Sequence, residues 1–181
     1  KTMAELLECD VSEIITGADG CGLPTYMLTL HQIAWLYARL AHGYGSGCKY
    51  DHCLGVIKDA ITQNPGVFRG NGTFCTELIK HTDGRVIGKL GAEGIYCMAI
   101  PEKKLGVCIK MSDGHPWSGY AVAVKVLEEL DVLDARTVKK LDKWALPPIQ
   151  SDKGEDVGYI HPVFSLLENK TGDYEPGSLY P

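Results

Sequence analysis

Excess positive charge, long apolar runs and closely paired cysteines are what this sequence lacks. Its 181 residues carry 18 Lys and Arg against 23 Asp and Glu, a formal net charge of −5. No basic field is therefore available to gather nucleic acid. No apolar stretch is long enough to span a bilayer, and no signal peptide opens the chain. No C-x-x-C pair occurs among the seven cysteines, Cys9, Cys21, Cys48, Cys53, Cys75, Cys97 and Cys108. Cys48 and Cys53 have no matching second pair, although His52 stands beside them, which argues against a zinc finger. The cysteine count is odd and most of the thiols sit in apolar runs. They read as reduced, buried thiols of a cytoplasmic protein rather than as a disulfide framework. There is no internal repeat and no initiator Met: Lys1 leads at once into the amphipathic pattern of Met3, Leu6 and Leu7. The expectation from that start is a fragment, a processed chain or a trimmed form. The length suits one domain, taken as 1–181.

What is present centres on residues 86–114. Val86–Leu90, Gly94–Ile100 and Leu105–Met111 are short apolar runs bounded by Gly and Pro, and the last two are joined by the polar turn Pro101-Glu102-Lys103-Lys104. Such runs are better strands than helices, and the polar join is an ordinary hairpin. Three neighbouring antiparallel strands are expected, with a helix over about 117–130 packed on them. Lys89 is the odd residue, a single lysine between Gly88 and Leu90-Gly91. Either it is an edge-strand lysine that blocks aggregation, or the glycines let a ligand approach a lysine held for a purpose.

In chain order, residues 2–9 read as helix. Residues 16–24 hold three glycines and a proline around Asp19 and Cys21, and read as a tightly specified loop. That loop is either turn chemistry, with Asp19 bonding its own backbone, or a device that presents a carboxylate and a thiolate to one side of a cleft. A helix is expected over 25–42, stopped by Gly43. His31 and His42 read as a surface side chain and a helix C-terminal partner. Ser46-Gly47-Cys48-Lys49 fits S-x-x-K formally, but in a glycine-rich loop it reads as coincidence. A second helix is expected over 51–63, with Asp51 as N-cap and Leu54, Ile57, Ala60 and Ile61 inward. Asn64-Pro65-Gly66 ends it, and 67–72 reads as loop. Residues 73–80 fit a helix or a strand. After the helix at 117–130, another is expected over 134–144, capped by Asp134 and broken by Pro147-Pro148. The tail from Ser151 is mostly polar, with one apolar patch from Val157 to Leu167.

These residues carry a resemblance. G-A-D-G-C-G-L-P at 17–24, N-P-G-V-F-R-G at 64–70, F-C-T-E-L at 74–78, K-L-G-A-E-G at 89–94, S-D-G at 112–114 and V-G-Y-I-H-P at 157–162 resemble, in order, the L-asparaginase II family of rhizobial type. D-G-C-G-x-P together with K-x-G-A-E-G is the specific combination. The resemblance implies an α+β fold, an antiparallel sheet with flanking helices, similar to the serine β-lactamase and penicillin-binding-protein fold. It implies hydrolysis of the side-chain amide of L-asparagine to aspartate and ammonia. It implies Lys89 as the lysine of a Ser–Lys pair, Cys21 as a zinc ligand, and Asp19 as the aspartate beside that metal and the amide substrate. A homodimer is compatible with it. The family's S-x-x-K element and its C-x-G-K-H zinc segment do not occur in matching places here, and His115-Pro116-Trp117 follows Asp113-Gly114 where an arginine is expected. The chain therefore resembles the C-terminal half of such an enzyme.

The residue types suit the chemistry. Amide hydrolysis needs an activated nucleophile, an acid for the leaving amine and oxyanion stabilisation. A lysine serves as base only when neutral, and a cysteine binds zinc only as thiolate. Two further readings stand beside the asparaginase: another acyl-transfer hydrolase, such as a glutaminase or peptidase, and a non-catalytic interaction module of the same fold.

Overall fold

In the computed structural model, residues 1–45 and 47–167 are described. The centre is a three-stranded antiparallel sheet in the order β3 (Ile87–Leu90), β4 (Ile95–Ile100), β5 (Leu105–Lys110). Ile100 pairs with Leu105 across the turn at 101–104, and Ile87 pairs with Ala99 on the other side. Successive side chains of a strand point to opposite faces. Ile87, Lys89, Cys97, Ala99, Gly106 and Cys108 therefore share one face, and Gly88, Leu90, Tyr96, Met98, Val107 and Ile109 the other.

Each face is covered by helices. On the first lie α2 (Leu30–His42), α3 (Asp51–Gln63) and the short α4 (Pro65–Arg69). Here Ile87, Ala99 and Ala41 form a small core, with Tyr37, Leu40, Ile61 and Phe68 against it. A Cβ on Gly106 would lie 1.8 Å from the Ala34 carbonyl oxygen and 2.4 Å from the Ala38 nitrogen, so the α2 backbone rests directly on β5. On the second face, α5 (Phe74–His81) and α6 (Pro116–Glu129) bury the larger core. Phe74, Leu78, Tyr96, Met98, Val124, Leu127, Leu141 and Trp144 belong to it. Two short helices, α7 (Ala135–Lys140) and α8 (Asp142–Ala145), close that side.

Gly88 in the larger core makes room for a specific group. A Cβ there would lie 2.2 Å from the Tyr96 hydroxyl oxygen and 2.9 Å from Leu78. That hydroxyl is buried and has no hydrogen-bond partner among the described residues. Burial, and next the Cys75 thiol, push the Tyr96 phenol well above its ordinary pKa. A buried, unpartnered donor costs stability. Tyr96→Phe should therefore stabilise the chain by about 1 kcal/mol, or roughly 2–4 °C in Tm at this size. A lower midpoint in thermal unfolding would show instead that the hydroxyl is satisfied.

Several expectations are corrected in detail. The segment 16–24 is not a free-standing loop but the end of a hairpin, β1 (Ile15–Ala18) and β2 (Pro24–Met27). The helix expected from residue 25 begins only at Leu30, because Thr29 caps it. The Thr29 hydroxyl accepts from the Gln32 amide at 3.2 Å, and Gln32 Oε1 accepts from the Thr29 amide at 2.9 Å. The first helix, α1, is shorter than expected, Thr2–Leu7. Asp51 is the first residue of α3 rather than its cap, and its carboxylate accepts from the Gly47 amide at 2.7 Å. Ile57 and Ala60 of α3 are exposed, so the inward face runs through Leu54, Gly55, Lys58 and Ile61. Pro65 ends α3 and also opens α4 at its first position, where its missing N–H costs nothing. Residues 74–81 are helix. The polar tail forms a hairpin, β6 (Pro148–Gln150) with β7 (Asp156–Tyr159). Asp134 caps α7 as expected, accepting from the Thr137 amide at 2.7 Å. Among the described residues no helix is long and apolar enough to cross a membrane.

Candidate functional site

Lys89 lies near the end of the edge strand β3, on the face covered by α2 and α4. It is half-buried. Its Nζ donates to the Leu90 carbonyl at 2.8 Å and lies 5.9 Å from the centre of the Phe68 ring. Phe68 also lines an apolar hollow of about 310 Å³ with Ala60, Ile61, Asn64 and Val67. The two sequence readings of Lys89 thus meet: it stands on an edge strand, but its stem and head are folded against an aromatic ring.

The sheet register puts two thiols in line with this lysine. Lys89 pairs with Cys97, and Cys97 pairs with Cys108 on β5. The Cys97 thiol donates to the Cys108 sulfur at 3.6 Å. That hydrogen bond, helped by burial, pushes the Cys97 pKa up, while the Lys89 charge opposes the rise. The same hydrogen bond holds Cys108 below the ordinary thiol range. Tyr37 of α2 faces the pair, and its phenol is raised first by burial and then by these sulfurs.

Beyond Lys89 two glycine turns stack. The K-L-G-A-E-G segment turns at Glu93 and Gly94, with φ of 53° and 70°. A Cβ on Gly94 would lie 2.9 Å from the backbone of Gly114 in the S-D-G turn. Only glycine allows that approach at positive φ. The Met111 amide donates to the Gly94 carbonyl at 3.0 Å. Lys110 Nζ ties the two turns together, donating to the carbonyls of Glu93 at 2.6 Å and Met111 at 2.7 Å. Asp113 accepts from the His115 amide at 2.9 Å and so fixes the entry to α6. Two segments singled out in the sequence as separate motifs are thereby one structural unit at the end of the sheet.

Asp19 and Cys21 sit elsewhere, at the exposed end of the β1–β2 hairpin. Asp19 Oδ1 accepts from the amides of Cys21 and Leu23, both at 2.9 Å. The carboxylate therefore does the turn chemistry that the sequence allowed, and it holds the Cys21 thiol on an ordered loop. No hydrogen bond, ion pair or ring contact joins either residue to Lys89 among the described residues. Zinc needs about four donors. Among the described residues no three His, Cys, Asp or Glu side chains are placed to hold a metal ion. The described residues do not by themselves supply a zinc ligand set. The S-x-x-K at 46–49 includes Ser46, which lies outside the described residues.

Phe68, Cys97, Cys108 and Lys110 were not among the site residues read from the sequence. The 5.9 Å ring contact of Phe68 depends on how α4 packs, which no local pattern announces. The thiols could have been found by counting register back from the hairpin turn.

These observations define an α+β protein in which a lysine-bearing antiparallel sheet is held between helices. The chain belongs to the L-asparaginase II family, whose model matches residues 1–162. Membership supports an asparaginase-type hydrolase in general, with an amide as its kind of substrate. A search among curated proteins found no match.

Proposed function

We propose that the chain is part of an amidohydrolase that cleaves the side-chain amide of L-asparagine to aspartate and ammonia. The family match over residues 1–162 carries this reading. In it, Lys89 is the proton-transfer partner of a serine supplied by polypeptide beyond residues 1–181. The Lys89 amine takes the serine proton as the hydroxyl attacks the amide carbon and passes a proton to the departing nitrogen as the C–N bond breaks; water then hydrolyses the acyl-serine and aspartate is released. The half-buried position of Lys89, against Phe68 and at the mouth of the stacked turns, supports that role. Asp19, on its hairpin, is the aspartate beside the metal and the amide substrate in this reading. A sheet resembling that of the serine β-lactamases, a cytoplasmic location and a homodimer belong to the same proposal.

The test is ammonia release by the product of the whole coding region, with L-asparagine, L-glutamine and a peptide amide compared. Asparagine should be the preferred substrate. Preference for glutamine or the peptide would favour the acyl-transfer alternative, and no release from any of them would favour the interaction module.

Cys21 is proposed as one thiolate of a zinc site completed from outside this chain. A single thiolate cannot hold Zn²⁺ against water. Elemental analysis of the purified 181-residue chain should then find well under one zinc per molecule. Stoichiometric zinc that resists a chelator would place the full ligand set within these residues.

A further inference from the structure

The Cys97–Cys108 pair has no task in the proposed hydrolysis, yet its placement is specific. The two residues are direct partners across β4 and β5. Directly opposed residues of antiparallel strands have Cα atoms about 4.5–5.5 Å apart, within the span that a disulfide bridges. Their sulfurs are already 3.6 Å apart, with the Cys97 thiol donating to Cys108. The register and the short sulfur–sulfur distance place the two thiols where a disulfide can form.

The two thiols also differ in the way a redox pair requires. Cys97 is 3% exposed, whereas Cys108 is half-buried and the more accessible of the two. The hydrogen bond from Cys97 favours thiolate on Cys108, and the thiolate is the reactive form.

We propose that Cys97 and Cys108 are a reversible dithiol–disulfide site oxidised by peroxides. The Cys108 thiolate attacks one peroxide oxygen and the O–O bond breaks. With hydrogen peroxide this leaves a sulfenic acid on Cys108 and releases water. The Cys97 sulfur then attacks the Cys108 sulfur and its thiol proton is lost. The S–O bond breaks as the hydroxyl takes up a proton and leaves as a second water. In sum, two thiols and one peroxide become one disulfide and two waters. A dithiol reductant reverses the change by exchange. The bond ties β4 to β5 in the register row that carries Lys89. The site needs no hydrolytic activity to exist, and it stands apart from the function proposed above.

The test treats the 181-residue chain with graded hydrogen peroxide, blocks free thiols under denaturing conditions, digests with trypsin and maps cysteines by mass spectrometry. Lys103 and Lys104 lie between the two cysteines, so trypsin separates them unless a disulfide joins them. Most of the Cys97 and Cys108 peptides should be recovered linked by the time the exposed thiols of Cys21 and Cys53 are consumed. A dithiol reductant added before blocking should free them. In Cys97→Ser, dimedone should trap Cys108 as sulfenic acid. Recovery of the two peptides unlinked, over-oxidised separately or paired with other cysteines would overturn the proposal. Because the linked peptide is read on the unsubstituted chain, the result does not depend on how a variant folds.

Discussion

Replacing Lys89 by methionine should lower kcat for asparagine, in the whole gene product, by about a hundredfold or more, the usual scale for a lost acid–base group. The substitution keeps the length of the stem, so contact with Phe68 and the edge of β3 is preserved. What it removes is the amine, which otherwise donates to the Leu90 carbonyl at 2.8 Å. Leu90 is close to the strand end, where water can replace that donor. Removing a half-buried charge should leave stability unchanged or slightly higher. A purely protective edge lysine predicts a different pattern: near wild-type turnover and a greater tendency to aggregate. Steady-state kinetics and light scattering on the same preparation separate the two. Near wild-type turnover would leave family membership intact but remove Lys89 from the mechanism.

Why β3 to β5 were legible, while the hairpin that carries Asp19 and Cys21 was not, follows from burial. Strand β4 is almost wholly buried, β3 half so and β5 partly covered, and all are bounded by Gly and Pro, so their apolar runs stand out. Every residue of β1 and β2 is exposed. Exposure removes the alternation on which strand recognition depends. Pro24 and the glycines then read only as loop. The start of α2 was missed for a different reason. Thr29 and Gln32 form a capping box that was present in the sequence, but the apolar residues upstream of it belong to β2. Helix α5 stayed ambiguous because Phe74, Cys75, Thr76, Leu78 and Ile79 are all buried, and so dense an apolar segment fits either period. For the site, Lys89 was visible as an isolated lysine in an apolar strand. Its contact with Phe68 joins segments about twenty residues apart and is set by packing alone. The Cys97–Cys108 pairing was implicit once the turn at 101–104 was placed, because counting back from Ile100 and Leu105 leads directly to it. The stacking of Gly94 on Gly114 was not legible, since two glycines give no sign that they will meet.

Gly106→Ala should destabilise the chain by about 3 kcal/mol, near the upper end of the usual cost of overpacking. Strand glycines are often read as weak points, and alanine normally suits a strand better. The geometry reverses that expectation here. The added Cβ would meet the Ala34 carbonyl oxygen at 1.8 Å and the Ala38 nitrogen at 2.4 Å. Both are backbone atoms of a helix, so no rotamer change relieves the clash. Helix α2 must instead lift away from β5, loosening Tyr37 and Leu40 over Ile87 and Ala99. In this size range a loss of about 3 kcal/mol corresponds to roughly 6–12 °C in Tm. Gly20→Ala is the matched control, because a Cβ there meets nothing within 4 Å. It should shift stability by no more than about 0.5 kcal/mol, as surface substitutions do. Urea unfolding of the two variants beside the parent chain measures the difference. If Gly106→Ala loses no more than Gly20→Ala, then α2 does not rest on β5 through backbone contact. The helix would then be free to move over the Lys89 face of the sheet.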